Sequence, residues 1–210
     1  FRTRQAVPVF FLKDRRVNIF DGIVGFLPNA NQPGKMLVTG QIDLRLAHLG
    51  GKGRDFGINW QKLNVQSQSL DLRAKESYLL GSPLELEFGF NLFKQDSTFV
   101  NRKLDLNFSL EIASGQSISF FTQRKAGDLI SIPNNGTQSE FNDFLDSRWN
   151  TYGIGWKWDK LEPGSFSRKG GRIEVLASMG NKRLLENTGL SPDRYENLEM
   201  SSPQWVIEGK

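Results

Sequence analysis

The sequence contains no cysteine and a single histidine, His48, among its 210 residues. The missing cysteine excludes a disulfide framework and thiol chemistry, while leaving the compartment open. No His or Cys cluster is present that would hold a transition metal. Long hydrophobic runs are lacking too: no apolar stretch approaches the roughly 20 residues that a transmembrane helix needs. Charge of either sign never accumulates. The 27 lysines and arginines alternate with 23 aspartates and glutamates, the formal net charge is +4 and the pI is about 9.4. Nucleic-acid binding therefore has little support. A leader pattern is also missing, since the chain opens on FRTRQAVPVFF, and it is expected to be an excerpt from a longer precursor. With 38% hydrophobic and 24% charged residues, the composition is that of an ordered chain forming one large domain or two small ones.

What is present is alternation. In Ser82 to Phe93 the apolar Leu84, Leu86, Phe88, Phe90 and Leu92 are separated by Glu85, Glu87, Gly89 and Asn91. Successive side chains of a strand point to opposite faces, whereas a helix would scatter these residues around its circumference. The pattern recurs at Ile42 to Leu46, Phe56 to Trp60, Leu70 to Ala74 and Leu104 to Ile112. From Leu84 to Leu92 and in these four windows every position on one face is apolar and none on the other is. Weaker versions follow at Ile118 to Gln123, Tyr152 to Trp158, Ile173 to Met179 and Trp205 to Ile207. Between them lie polar connections, the longest predicted from Gly127 to Ser147 and from Asn181 to Ser202. Apart from one short member, odd-numbered connections tend to be longer than the even-numbered ones after them, as in an up-and-down meander with its two kinds of connection at opposite ends. SEFNDFLDS and SPDRYENLEM are each predicted to form a helical turn or two.

Two architectures fit about ten such strands. A soluble barrel or sandwich buries the apolar face, as most antiparallel sheets do. A transmembrane barrel inverts this, turning the apolar band to lipid and the polar set to a lumen. Four features favour the inversion. The strands have the 9 to 11 residues that cross a bilayer at about 45° of tilt. The oily face is uniformly large, where a small soluble barrel needs small residues to fill its taper. The other face mixes both signs, which suits a lumen whose cross-strand pairs neutralise one another. Finally, Trp60, Tyr78, Trp149, Tyr152, Trp156 and Trp158 cluster toward strand ends, where aromatic belts sit. The expected fold is thus all-β, an antiparallel up-and-down transmembrane β-barrel with about ten strands present, incomplete, its closing partner lying outside these residues. The predicted lumen-lining residues are Asp43, Arg45, Asp71, Arg73, Lys75, Glu85, Glu87, Asp105 and Glu111.

Catalysis finds little footing. His48 lies near a strand end, where an interfacial surface histidine is the simplest role. No serine, base and orienter are flagged as a hydrolytic triad. Glu85 and Glu87 have the residue type of glycosidase carboxylates, but they stand two apart on one strand in a field of like alternation and read as lumen lining. Arg45, Arg73, Lys75 and Arg124 are their expected partners. No enzyme activity, cofactor or metal is expected.

The first strand breaks the rule. Between Val17 and Leu27, Ile19, Ile23 and Leu27 fall on one face and Phe20, Val24 and Phe26 on the other, with Gly22 and Gly25 interrupting. Glycine weakens a strand interior and often marks bending or close backbone approach. A strand sitting over a plug would account for this pattern. The segment VNIFDGIVGFLPN resembles the opening barrel strand of the BamA/TamA-type outer-membrane insertase superfamily, the bacterial surface-antigen barrel family, in its Bacteroidetes-like members. The resemblance continues co-linearly through KMLVTGQIDLRLAHLGGKGRDFGINWQKLN and LFKQDSTFVNRK. It implies that residues 1–14 are the tail of a preceding POTRA-like repeat and that 15–210 are the N-terminal part of a barrel of sixteen strands. It further implies location in the bacterial outer membrane. The implied role is assistance in assembling, inserting or translocating other outer-membrane proteins, with nascent barrel proteins, outer-membrane lipid and accessory lipoproteins as partners. The mechanism implied is strand addition at a weakly sealed seam formed by Asn18, Phe20, Asp21, Gly22, Val24 and Gly25. A passive, porin-like channel is the rival role, and a soluble β-barrel binding module a weaker one.

Overall fold

The computed structural model describes residues 17–28, 34–62, 64, 66–95, 99–130, 145–161, 170–186 and 198–209. The segment expected to be a POTRA-like tail, and most of both segments predicted to hold helical turns, lie outside these residues. Ten strands form one sheet in strict sequence order, each antiparallel to its neighbour: β1 (Ile19–Pro28), β2 (Met36–Leu49), β3 (Arg54–Lys62), β4 (Gln68–Glu76), β5 (Leu84–Gln95), β6 (Phe99–Ala113), β7 (Gln116–Leu129), β8 (Ser147–Asp159), β9 (Arg172–Leu184) and β10 (Ser201–Gly209). The only other regular element described is a single 3₁₀ turn, Leu79–Gly81, between β4 and β5. Odd- and even-numbered connections fall at opposite ends of the sheet, and the two longest, β7–β8 and β9–β10, share the odd end; the rhythm fails once, where the β3–β4 connection is shorter than β4–β5. Among the described residues no helix is long and apolar enough to cross a membrane, which leaves crossing by strands untouched.

The register carries the apolar face across the sheet. Ile58 stands opposite Leu44 and Leu72, Phe88 opposite Ala74 and Leu106, and Phe108 opposite Leu86 and Phe120. The row continues through Ile154, Ala177 and Ile207. Because side chains alternate with a period of two, one slipped residue would send every leucine to the other face. The tightest connection, Ser114 and Gly115 between β6 and β7, shows how register is pinned. Gly115 has φ 72°, a conformation glycine adopts without cost, and a Cβ there would stand 2.2 Å from the Asp159 carbonyl oxygen.

No second layer covers either face among the described residues, and each strand packs chiefly against its neighbours in the sheet. Leu145 is the one buried hydrophobic residue described. Phe20, Ile154 and Ile207 of the apolar face are 76%, 64% and 82% exposed. A soluble sandwich of this size would bury these side chains in a dry centre, and the described residues form none.

Strands outrun their apolar windows at the long-connection end. KQDSTFVNRK reads as a loop, yet β5 runs to Gln95 and β6 starts at Phe99, with Leu92 opposite Arg102 and Lys94 opposite Val100. The predicted insert from Gly127 to Ser147 begins later, because Gly127 pairs with Ser147 and β7 continues to Leu129. Likewise Asn181 and Arg183 pair with Pro203 and Ser201. Ladder hydrogen bonds use only backbone groups, so a polar side chain does not end a strand.

Candidate functional site

The polar face gathers the predicted lumen residues into a ladder of ion pairs. On β2, Arg45 Nη2 lies 2.9 Å from Asp43 Oδ2, and on β4 Arg73 Nε donates to Asp71 Oδ1 at 2.7 Å. Lys75 bridges to the next strand, 2.8 Å from Glu85 and 3.8 Å from Glu87. Asn107 Nδ2 donates to Glu87 at 3.3 Å, and Gln123 Nε2 to Asp105 at 2.7 Å. Lys103 stands 3.0 Å from the same Asp105. A concavity of about 780 Å³ is lined by Arg45, Asp71, Arg73, Lys75, Glu87 and Asp105, among others. Glu111 stands apart at the β6–β7 turn, where Gly115 N–H donates to it at 3.4 Å.

Three placements differ from expectation. Of the four cations named as partners for Glu85 and Glu87, only Lys75 reaches them. Arg45 and Arg73 fold back on the aspartate two residues earlier on their own strand, where same-face neighbours meet. Arg124 lies on the other face: it is opposite Leu104 and Asn150, in the parity of Ile118 and Phe120. Trp149, expected in the aromatic belt, is on the polar face opposite Lys125 and Lys182. Both ammonium groups sit over its ring, 5.4 and 5.9 Å from the centroid. Counting in twos from Tyr152 reveals this. His48 falls in a bulge between Leu46 and Leu49, with φ 54°, so strand parity does not apply to it. Its backbone N–H donates to Asp55 Oδ1 at 3.0 Å. Among the described residues no group of His, Cys, Asp and Glu could hold a metal ion.

The first strand pairs along its whole length with β2, from Ile19 opposite Arg45 to Pro28 opposite Met36, and with no other strand described. Phe20, Gly22 and Val24 share the apolar face, while Asp21 and Gly25 point to the polar face. Asn18 precedes the strand and works through its side chain: Oδ1 accepts from the Ala47 N–H at 2.9 Å. The two backbones approach closely. Gly40 has φ 144°, and a Cβ there would lie 2.0 Å from the Ile23 carbonyl oxygen. Apolar side chains stand out on both faces, with Phe20 76%, Ile23 71% and Phe26 63% exposed. Asp21 faces Asp43 directly across the ladder. Arg45 neutralises Asp43, whereas Asp21 has no ion pair among the described residues.

No family model matches the chain, and no curated protein matches it. Among solved structures the chain is similar to that of BamA from Haemophilus ducreyi lacking POTRA domains 1-3. The TM-score is 0.45 at 13% identity, over 82% of this chain and 35% of that one. The chain therefore spans about a third of the length of that structure.

Proposed function

We propose that this chain belongs to an outer-membrane β-barrel that assists assembly, insertion or translocation of other outer-membrane proteins, with β1 as a template for an incoming strand. The carrying observation is β1 itself: apolar on both faces, broken by two glycines and set against a like charge. In hydrocarbon an unpaired N–H or C=O costs several kcal/mol, so a free strand edge there is strongly driven to take a partner. An extended segment of a nascent barrel protein meets that need by β-augmentation, its backbone satisfying the edge whatever its sequence. The exposed apolar side chains of the other strands face acyl chains, and the ion-paired face encloses water. No step of this reading requires a nucleotide, a metal or a catalytic side chain.

The natural absence of cysteine makes the test direct. Single cysteines at Phe20, Gly22 and Val24 are expected to cross-link to nascent barrel proteins well above the level given by a cysteine at Leu106 in mid-sheet. Equal adducts from both sets would overturn the template role. With solute flux through the protein in a bilayer, that result would favour the passive channel, to which the charged concavity is suited.

A further inference from the structure

The apolar face does not stay apolar. Toward the long-connection end it carries Arg102 two residues beyond Leu104. Arg124, Arg148 and Arg183 stand four residues beyond Phe120, Tyr152 and Met179. These four arginines come from consecutive strands. Register makes Arg148 the direct neighbour of Arg183, and places Ala126 between Arg102 and Arg148. Within the described strands Asp128 is the one carboxylate on this face at this end, with Asp146 and Glu199 just outside β8 and β10, and it already holds two of the arginines: Arg102, and Arg148 at 2.5 Å. Arg124 and Arg183 are exposed and have no ion pair among the described residues. At the opposite end of the same face the charges cancel, Arg54 lying 2.5 Å from Glu76.

The geometry points to a binding surface for the phosphates of anionic lipid headgroups, on the outside of the sheet at its long-connection end. This inference rests on the reading that the apolar face meets acyl chains. On β6 the apolar run is centred at Phe108, and Arg102 is six residues away. At about 3.4 Å per residue and 45° of tilt, that is about 14 Å from the centre of the belt, close to the edge of a hydrocarbon core about 30 Å thick. Arg124, four residues from Phe120, starts about 10 Å out and has to extend its stem to reach that edge. A guanidinium on its flexible stem reaches outward from there to the headgroup level. Arginine's planar fork suits phosphate oxygens. A net positive row of this kind is unfavourable facing hydrocarbon and favourable facing phosphate. The ligand is thus a phosphorylated lipid in the same leaflet, whose tails continue down the belt, and not a soluble anion.

The experiment is titration of the protein in neutral detergent micelles with phosphatidylglycerol, read by native mass spectrometry. Specific lipid adducts are expected. The double variant Arg124→Gln/Arg183→Gln, which leaves the Asp128 pairs intact, should bind roughly 30-fold more weakly, about fivefold for each cation removed. Arg45→Gln/Arg73→Gln on the polar face should bind within about threefold of the parent, and Arg124→Lys/Arg183→Lys should retain most of the affinity. Unchanged affinity in the Arg124/Arg183 glutamine variant would overturn the site, and so would displacement of the lipid by millimolar inorganic phosphate. Cross-linking from Phe20 and Val24 in the same variants separates the two proposals. Adducts that persist while lipid binding is lost support the lipid site, and lipid binding that persists when no adducts form leaves it standing without the template role.

Discussion

Asp21 and Asp43 illustrate how one residue sets the strength of a strand pair. They face each other on the polar side of the β1–β2 ladder, and a single guanidinium, that of Arg45, serves only the second. Like charges directly opposite weaken a pair by about 0.2–1 kcal/mol. Asp21→Asn should therefore stabilise the β1–β2 pairing by that amount, seen as slower amide exchange in β1 in detergent micelles; faster exchange would contradict the assignment. Gly40 acts in the opposite sense. Its φ of 144° and its 2.0 Å clearance to the Ile23 carbonyl oxygen leave no room for a methyl group. Gly40→Ala should cost about 1–3 kcal/mol and loosen β1 selectively, with exchange in β5 and β6 unaffected. Uniform destabilisation of the whole sheet would show that the strain is not local.

At the scale of the strand, what matters is which face a residue occupies. Phe108 lies at the centre of the β6 apolar run, while its neighbour Asn107 donates to Glu87 on the polar side. Arginine on the lipid face near the bilayer midplane costs about 2–4 kcal/mol. Phe108→Arg should lower stability in urea by that much, and Asn107→Arg, which meets a carboxylate, should change it far less; equal effects would mean the two faces see the same medium. The same distinction explains how far the strands could be read from residues. β2 to β6 stand out because alternation is unbroken within their apolar windows, and the gathering of charged residues on their far side follows from parity. β7 to β9 blur, since Thr122, Asn150 and Asn181 take positions on the apolar face. Strand ends were hidden for a related reason: Arg102, Arg148 and Arg183 look like loop residues, while their backbones continue the ladder. The choice of Lys75 as the bridge to Glu85 and Glu87 was not legible in residue order, since it depends on cross-strand register. Nor was the His48 bulge, a backbone irregularity with no period.

For the molecule as a whole, the continuous apolar face decides what environment the chain tolerates. Soluble monomers rarely expose contiguous apolar patches larger than a few hundred Å². Here the exposed residues run from Phe20 on β1 through Ile154 on β8 to Ile207 on β10, with nothing packed over them among the described residues. The sheet is held by backbone ladders and by ion pairs on its polar face, so it lacks the buried core that would drive folding in water. On the proposed reading an amphiphile supplies the missing apolar phase. In a detergent phase-separation experiment the protein should be recovered with the detergent. Its β-sheet circular dichroism should survive in micelles and give way to aggregation when detergent is withdrawn. A monodisperse, folded protein in the aqueous phase would require the apolar face to be covered from within, against the register described for all ten strands. A companion variant guards against a trivial outcome. Replacing Ile154 and Phe120, which are Cα partners in mid-belt, with asparagine should weaken partition into detergent and into lipid alike. Asn91→Ala and Asn107→Ala on the polar face should leave partition unchanged. If both pairs behaved the same, detergent recovery would reflect general stickiness, and the assignment of acyl chains to one face and water to the other would fail.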